Sequence, residues 1–229
     1  MVFAGQLRLA WIASYCPYYG VEEKNGLVAL AALFLKKLIS SQRLIFQQFM
    51  RDLKWKVLKS KYLFKDLWFT VRNDTCQRPD GQIVEPYYVY EFPTWVTALA
   101  LTEDGKVILE RQYRHAIGET AFEIPGGCVD DTDKSLEDAI ARELLEETGY
   151  QFSKFEYLGK TCANPSTNNN WMHMFLATGG KKVSEQKLDD NEDIEIHLVS
   201  LDELKALLQE NKIIQSMHVT AIYYALQRL

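Results

Sequence analysis

Apolar and polar positions change period several times along this chain, and each change marks an element. "DLWFTVRND" and "IVEPYYVYEF" alternate large apolar with polar residues on either side of "QRPDGQ". Pro-Asp-Gly is a turn signal, so these two stretches predict a β-hairpin. "WVTALALT" and "KVILERQYR" flank Glu103-Asp104-Gly105 and predict a second hairpin, and "TAFEIPGG" reads as a short strand ending at glycines. The period then lengthens to that of a helix over about Leu136 to Thr148. Beyond it, "KFEYLGKTCA", "WMHMFLATGG" and "DIEIHLVS" predict three more strands, and "LDELKALLQENK" and "SMHVTAIYYALQRL" two closing helices. Mixed strands with helices between and after them imply an α/β layered domain on a mixed sheet. There is no internal repeat and no low-complexity tract.

Residues 1–49 follow a different pattern. Within "LVALAALFLKKLISSQRLIFQQF", Phe34, Leu35, Leu38, Ile39, Leu44, Ile45 and Phe49 fall on roughly one face of a helix. Such a helix can bind a partner or a membrane surface, or pack as an accessory element. The favoured expectation is that Met50 is the natural start and that the preceding residues come from an over-long reading frame. Residues 50–92 then form an N-terminal hairpin region and residues 93–229 the main domain.

Composition narrows the classes. The chain has 229 residues, 47% hydrophobic and 25% charged, with a formal net charge of −5 at pH 7. That length suits one domain with an extension, and the balance is that of a soluble globular protein. A net negative charge offers no general attraction to nucleic acid or anionic membrane, so neither is expected as a partner. Cys16, Cys76, Cys128 and Cys162 show neither paired metal-ligand spacing nor a disulfide framework, which fits a reducing, cytoplasmic setting. The apolar run "GLVALAALFL" is about half the roughly 20 residues that a membrane-spanning helix needs, and it follows acidic residues, unlike a signal peptide.

The candidate chemistry lies in "PGGCVDDTDKSLEDAIARELLEETGY", Pro125 to Tyr150. Ser135 with Asp138 three residues on is a variant capping box, and Gly149 stands where a left-handed C-cap is expected. Between them Glu143, Glu146 and Glu147 stand at i, i+3 and i+4, so their carboxylates converge. Like charges at this spacing cost an isolated helix a few tenths of a kcal/mol each, roughly. A solvated face partly neutralised by Arg142 is one answer to that repulsion. The other is a hard divalent cation, which takes oxygen ligands, with the glycine loop letting backbone carbonyls approach the same ligand.

"RELLEETGY", Arg142 to Tyr150, resembles the core of the Nudix box, whose pattern is Gly, five residues, Glu, seven residues, then Arg-Glu-apolar-x-Glu-Glu-x-Gly-apolar. "QYRHAIGETAFEIPGG", Gln112 to Gly127, is similar to the ADP-ribose pyrophosphatase branch of that family. The resemblance covers roughly residues 55 to 229 and implies an α/β/α sandwich. The front half of the box departs from the pattern: Asp133 stands where the first glutamate belongs, and one residue is inserted before Arg142. In the family that acid steadies the loop against the helix, so the catalytic end is expected to survive the change.

Carried over residue by residue, the resemblance implies that Glu143 and Glu147 are the chief ligands of magnesium, with manganese as a substitute. Glu146 belongs to the same cluster, the Gly127 carbonyl contributes, and Arg142 orients a glutamate. Bound metal then activates a water that attacks phosphorus. Glu192 is the first choice for the base, with Asp190 and Glu195 behind it. Arg114 is the candidate for holding a substrate phosphate, a sheet-edge salt bridge being its alternative role. Pro165 occupies the place of a substrate-loop proline, although Asn168, Asn169 and Asn170 stand where an acid is usual. Trp171 or a nearby tyrosine is a candidate for stacking on a base, a core position being the commoner role of a large aromatic at the start of a strand.

The implied function is hydrolysis of ADP-ribose or a related nucleoside diphosphate sugar, by a homodimer paired through the N-terminal hairpin. The alternatives are a house-cleaning hydrolase of nucleoside triphosphates and a non-catalytic nucleotide-sugar sensor. Sensors usually lose acids from the helix, and here all three are present.

Overall fold

The computed structural model describes residues 51–66 and 69–229. The helix expected within residues 27–49, and the question of Met50 as the start, lie outside the described residues. The chain divides into two units, residues 1–55 and 56–229, and every element below belongs to the second.

Three antiparallel strands open this unit: β1 (Lys56–Lys65), β2 (Thr70–Gln77) and β3 (Ile83–Glu91), in that order. β2 and β3 are the hairpin expected around Pro-Asp-Gly, with Gly81 in the left-handed region at φ 88°. β1 makes the expected hairpin a three-stranded sheet. Asp74 is buried on β2, and Arg72, which also pairs with Glu91, bonds both its carboxylate oxygens. The rings of Phe69, Phe92 and Trp95 meet in sequence at tilted angles, with centroids 6.1 and 5.6 Å apart, and carry the packing from this sheet to the next.

The larger sheet has seven strands: β4 (Trp95–Thr102), β5 (Val107–Arg114), β6 (Glu119–Glu123), β7 (Tyr150–Gln151), β8 (Lys154–Thr161), β9 (Met172–Lys182) and β10 (Glu195–Val199). Its path is β10-β5-β4-β9-β7, with β6 on β5 and β8 on β9. β4 runs parallel to β9 and antiparallel to β5, which makes the sheet mixed, as its sequence suggests.

The near-continuous apolar run of β4 reflects burial on both faces. Val96, Ala98 and Ala100 pack against Ala139, Ile140 and Leu144 of helix α1 (Leu136–Thr148). Leu99 and Leu101 point the other way, toward Leu204 of α2 (Leu201–Gln209) and Ala221, Ile222 and Ala225 of α3 (Ser216–Leu226). The result is an α/β/α sandwich.

α1 has the bounds its sequence predicts. The Ser135 hydroxyl accepts the Asp138 N–H at 3.0 Å, and Gly149 closes the helix at φ 72°.

Candidate active site

Six residues of α1 are buried, and two of them are Glu143 and Glu147. An amphipathic helix normally places apolar side chains along that stripe. Here the glutamates continue the line of Ile140 and Leu144 beyond the hydrophobic core, onto the turn after β6. That turn needs glycine. At Gly126, with φ 150°, a Cβ would lie 2.2 Å from the Val96 carbonyl oxygen. A Cβ on Gly127 would lie 2.6 Å from the Glu143 carboxylate. The Gly126 N–H donates to Glu147 Oε2 at 2.9 Å, fixing one carboxylate against the turn.

Arg142 holds the rest of the motif together. Its Nε and Nη2 bond the two oxygens of Asp133 at 3.1 and 2.9 Å, and Nη2 also reaches the Cys128 carbonyl at 2.9 Å. Nη1 lies between Glu143 and Glu146, at 3.0 and 3.1 Å. Asp133 in turn accepts the Asp130 N–H at 2.8 Å. The shorter acid therefore still reaches the arginine, through a loop lengthened by one residue, and steadies that loop as its longer counterpart is expected to.

A cleft of about 730 Å³ opens over these groups. Glu143, Glu146, Glu147, Arg142, Gly126 and Gly127 line one side. Lys187, Asp189, Asn191 and Glu192 come from the loop before β10, and Gln112, Arg114 and Glu123 from β5 and β6. Trp95, Met172, Ile214 and Met217 supply apolar wall.

Negative charge accumulates here faster than cations can balance it. Burial pushes Glu143 up to about 7 despite Arg142 beside it. Burial raises Glu147 well above the usual carboxylate range, with the charges of Glu110, Glu143 and Glu192 adding to it. Glu110, on β5 directly opposite Glu123, is pushed up to about 8 by burial, and its Oε1 has no hydrogen-bond partner. Glu123 behaves differently. Its burial would raise it, but Arg114 bonds both its oxygens at 2.8 and 2.6 Å and holds it below the usual range.

An all-oxygen donor set whose acids are held up by burial and mutual repulsion fits a hard divalent cation. Glu143, Glu147 and Glu146 are the groups that would hold one, although among the described residues no three acid, histidine or cysteine side chains are gathered into a ready-made metal cage. The Gly127 carbonyl accepts the Val96 N–H at 2.9 Å, so only its second lone pair is free for the role expected of it.

The structure thus brings the three helix glutamates, Arg142, Gly127, Arg114 and Glu192 into one cleft. Arg114 is a wall residue whose Nε and Nη2 are committed to Glu123, the salt-bridge role that was its alternative. Pro165 is not among the lining residues. Its turn lies on the small sheet, where the Tyr87 hydroxyl donates to the Ser166 carbonyl at 2.9 Å and β3 bridges to Asn168. Glu195 is outside the cleft, paired with Arg111 at 2.8 Å, and Asp190 is not among the lining residues. Trp171 is exposed with Lys160 Nζ 4.1 Å from its ring centre, whereas Trp95 lines the cleft.

Sequence reading missed Glu110, Glu123 and His218. Each is a polar residue within an apolar stretch, "VILERQ", "TAFEIP" and "SMHVTAI", and that interruption was the available signal.

A sandwiched mixed sheet, a glycine turn and buried helix carboxylates on one cleft together define the architecture of an α/β/α domain with an acidic site. The Nudix domain profile matches residues 92–218, and the profile of the nucleoside diphosphate sugar hydrolase N-terminal domain matches residues 55–90. The chain belongs to the Nudix family, whose hydrolases work with divalent metal ions.

Among its relatives, a methanol dehydrogenase activator of Bacillus methanolicus is 29% identical over 74% of this chain and 91% of its own. An ADP-ribose pyrophosphatase of Bacillus subtilis (strain 168) is 27% identical over 76% of this chain and 94% of its own. A crystal structure of an ADP compounds hydrolase superposes with a TM-score of 0.68 at 22% identity, over 79% of this chain and 97% of that one, and shares the fold.

Proposed function

We propose that this protein hydrolyses the pyrophosphate bond of ADP-ribose or a related nucleoside diphosphate sugar, giving a nucleoside monophosphate and a sugar phosphate. The observation that carries this reading is the placement of Glu143 and Glu147, buried at i and i+4 beside a glycine turn, across a cleft from Glu192. The match to a nucleoside diphosphate sugar hydrolase N-terminal domain and the likeness to ADP-ribose pyrophosphatase support the substrate class.

In this reading Glu143, Glu147 and Glu146 would hold magnesium, or manganese in its place, and the Gly127 carbonyl would contribute. Bound metal supplies charge neutralisation at the phosphates and a more acidic water. Glu192, on the wall opposite the acidic helix, would accept the proton of the attacking water. Arg142 keeps Glu143 and Glu146 oriented. Arg114, locked to Glu123, presents the remaining edge of its guanidinium to a phosphate. The apolar wall of Trp95, Ile214 and Met217 excludes water beside the reacting group.

A homodimer belongs to the same proposal. β1 is exposed along its whole length, with Val57, Leu58, Tyr62, Leu63 and Phe64 each about half accessible. Apolar surface of this kind marks an interaction site, and a second copy covering it is the expected occupant.

The test is turnover of a panel with magnesium: ADP-ribose, other nucleoside diphosphate sugars, dinucleotides and nucleoside triphosphates, with products identified by mass. Release of a monophosphate and a sugar phosphate, at the highest kcat/KM on the panel, is expected. Preference for triphosphates, or binding of nucleotide sugars with no turnover, would replace this reading by a house-cleaning hydrolase or a sensor respectively.

A further inference from the structure

The acidic helix has no basic residue in its last turn, yet its final carbonyls are satisfied. Gly149 N–H bonds the Leu145 carbonyl at 2.9 Å, Lys187 N–H the Glu146 carbonyl at 2.8 Å, and Lys182 Nζ the Thr148 carbonyl at 3.0 Å. Val183 and Ser184 N–H groups both reach the Gly149 carbonyl, at 2.9 and 3.2 Å. The partner of the Glu147 carbonyl is a side chain: Gln186 Nε2, at 2.7 Å. Four of these partners come from the segment that leads from β9 into the loop carrying Glu192, so that segment caps the helix.

Gln186 has a second bond. The same Nε2 donates to the Ile194 carbonyl at 3.2 Å, at the far end of the loop. One carboxamide therefore joins both ends of residues 187–193 and fastens them to the residue whose own side chain lies in the acidic cluster. Both partners are carbonyls, so the amide must face them with its nitrogen and its orientation is fixed by chemistry. Inside the loop, Glu192 N–H bonds the Asp189 carbonyl and Glu192 Oε2 accepts the Asp189 N–H, both at 3.0 Å. The loop is thus a closed turn on a two-point mooring.

We propose that Gln186 is a positioning residue: its carboxamide clamps the loop bearing Glu192 to the end of the helix bearing Glu143 and Glu147, setting the distance across which hydrolysis occurs. This rests on the reading of Glu192 as the base. A loop free to drift by about 1 Å loses on the order of 100-fold in rate, because the base must meet the attacking water in one geometry.

The test uses full-length protein. Gln186→Met keeps length and shape but removes the donor, and Gln186→Lys restores donors beside a helix C-terminus that favours a cation. Gln186→Met is expected to lower kcat by about 10- to 100-fold with KM within about threefold, and Gln186→Lys to recover most of the loss. In a Glu192→Gln background, Gln186→Met should cost nothing further, since the clamp acts through the loop.

Unchanged kcat in Gln186→Met, or losses that multiply in the double variant, would overturn the proposal. Full activity of Glu192→Gln alone would remove Glu192 as the base. Amide hydrogen exchange over residues 187–193 then decides the clamp separately: faster exchange in Gln186→Met keeps it as a tether, and unchanged exchange discards it.

Discussion

Arg142 does several jobs with one planar group. It bonds Asp133 with two nitrogens, reaches the Cys128 carbonyl, and sits between Glu143 and Glu146, so its guanidinium charge stays fixed by four partners. Lysine carries the same charge but has no fork. Arg142→Lys is expected to destabilise the protein by about 1–3 kcal/mol and to lower kcat, because the loop and two glutamates lose their common anchor. Urea denaturation together with steady-state kinetics checks both.

His218 gives a pH signature. It is buried on α3, with Nδ1 3.5 Å from Glu123 Oε2 on β6 and with Arg114 of β5 also facing it. Burial pulls it down to about 4, from an unfolded value near 6.5. Between those values the unfolded chain binds the extra proton, so His218 favours the folded state fully above pH 6.5 and its contribution is lost as pH falls toward 4. The loss is on the order of 3 kcal/mol. His218→Leu should flatten the fall in stability between pH 6.5 and 4.5, measured by urea unfolding at each pH.

At the level of elements, the turn between β6 and the acidic helix is the part least able to change. Gly126→Ala would drive a Cβ to 2.2 Å from the Val96 carbonyl oxygen at a φ that side chains avoid. A loss of more than about 2 kcal/mol is expected, against about 1 kcal/mol for Ser135→Ala at the helix N-cap. Thermal unfolding of the two variants compares them.

The helix itself was legible because its signals are local: a cap, a C-terminal glycine and acids at i, i+3 and i+4. The β2–β3 hairpin was legible for the same reason, since its turn residues lie between its strands. β1 gave no such signal. It buries neither face, so apolar and polar positions do not alternate, and shifts in its pairing with β2 at Val57/Lys59 and Tyr62/Phe64 break the period further. The opposition of Glu110 and Glu123 depends on the β5–β6 register, and the approach of His218 on how α3 packs against the sheet. Neither is written in a contiguous stretch of sequence.

For the whole molecule, the exposed apolar strand and the acidic cleft make separate predictions. Light scattering should give twice the chain mass, and Tyr62→Lys with Phe64→Lys should reduce it to that of one chain without unfolding the sandwich. A single-chain mass for the unmodified protein would leave β1 without the proposed occupant. The central claim is that the buried glutamates of α1 drive hydrolysis of a nucleotide sugar pyrophosphate. The most direct measurement is the turnover of ADP-ribose with magnesium by the unmodified protein and by Glu147→Gln, which keeps the side chain's size but not its charge. The account predicts AMP and ribose phosphate from the first and a fall of about 1000-fold or more in kcat in the second, with both folded. Equal turnover by the two proteins would contradict it.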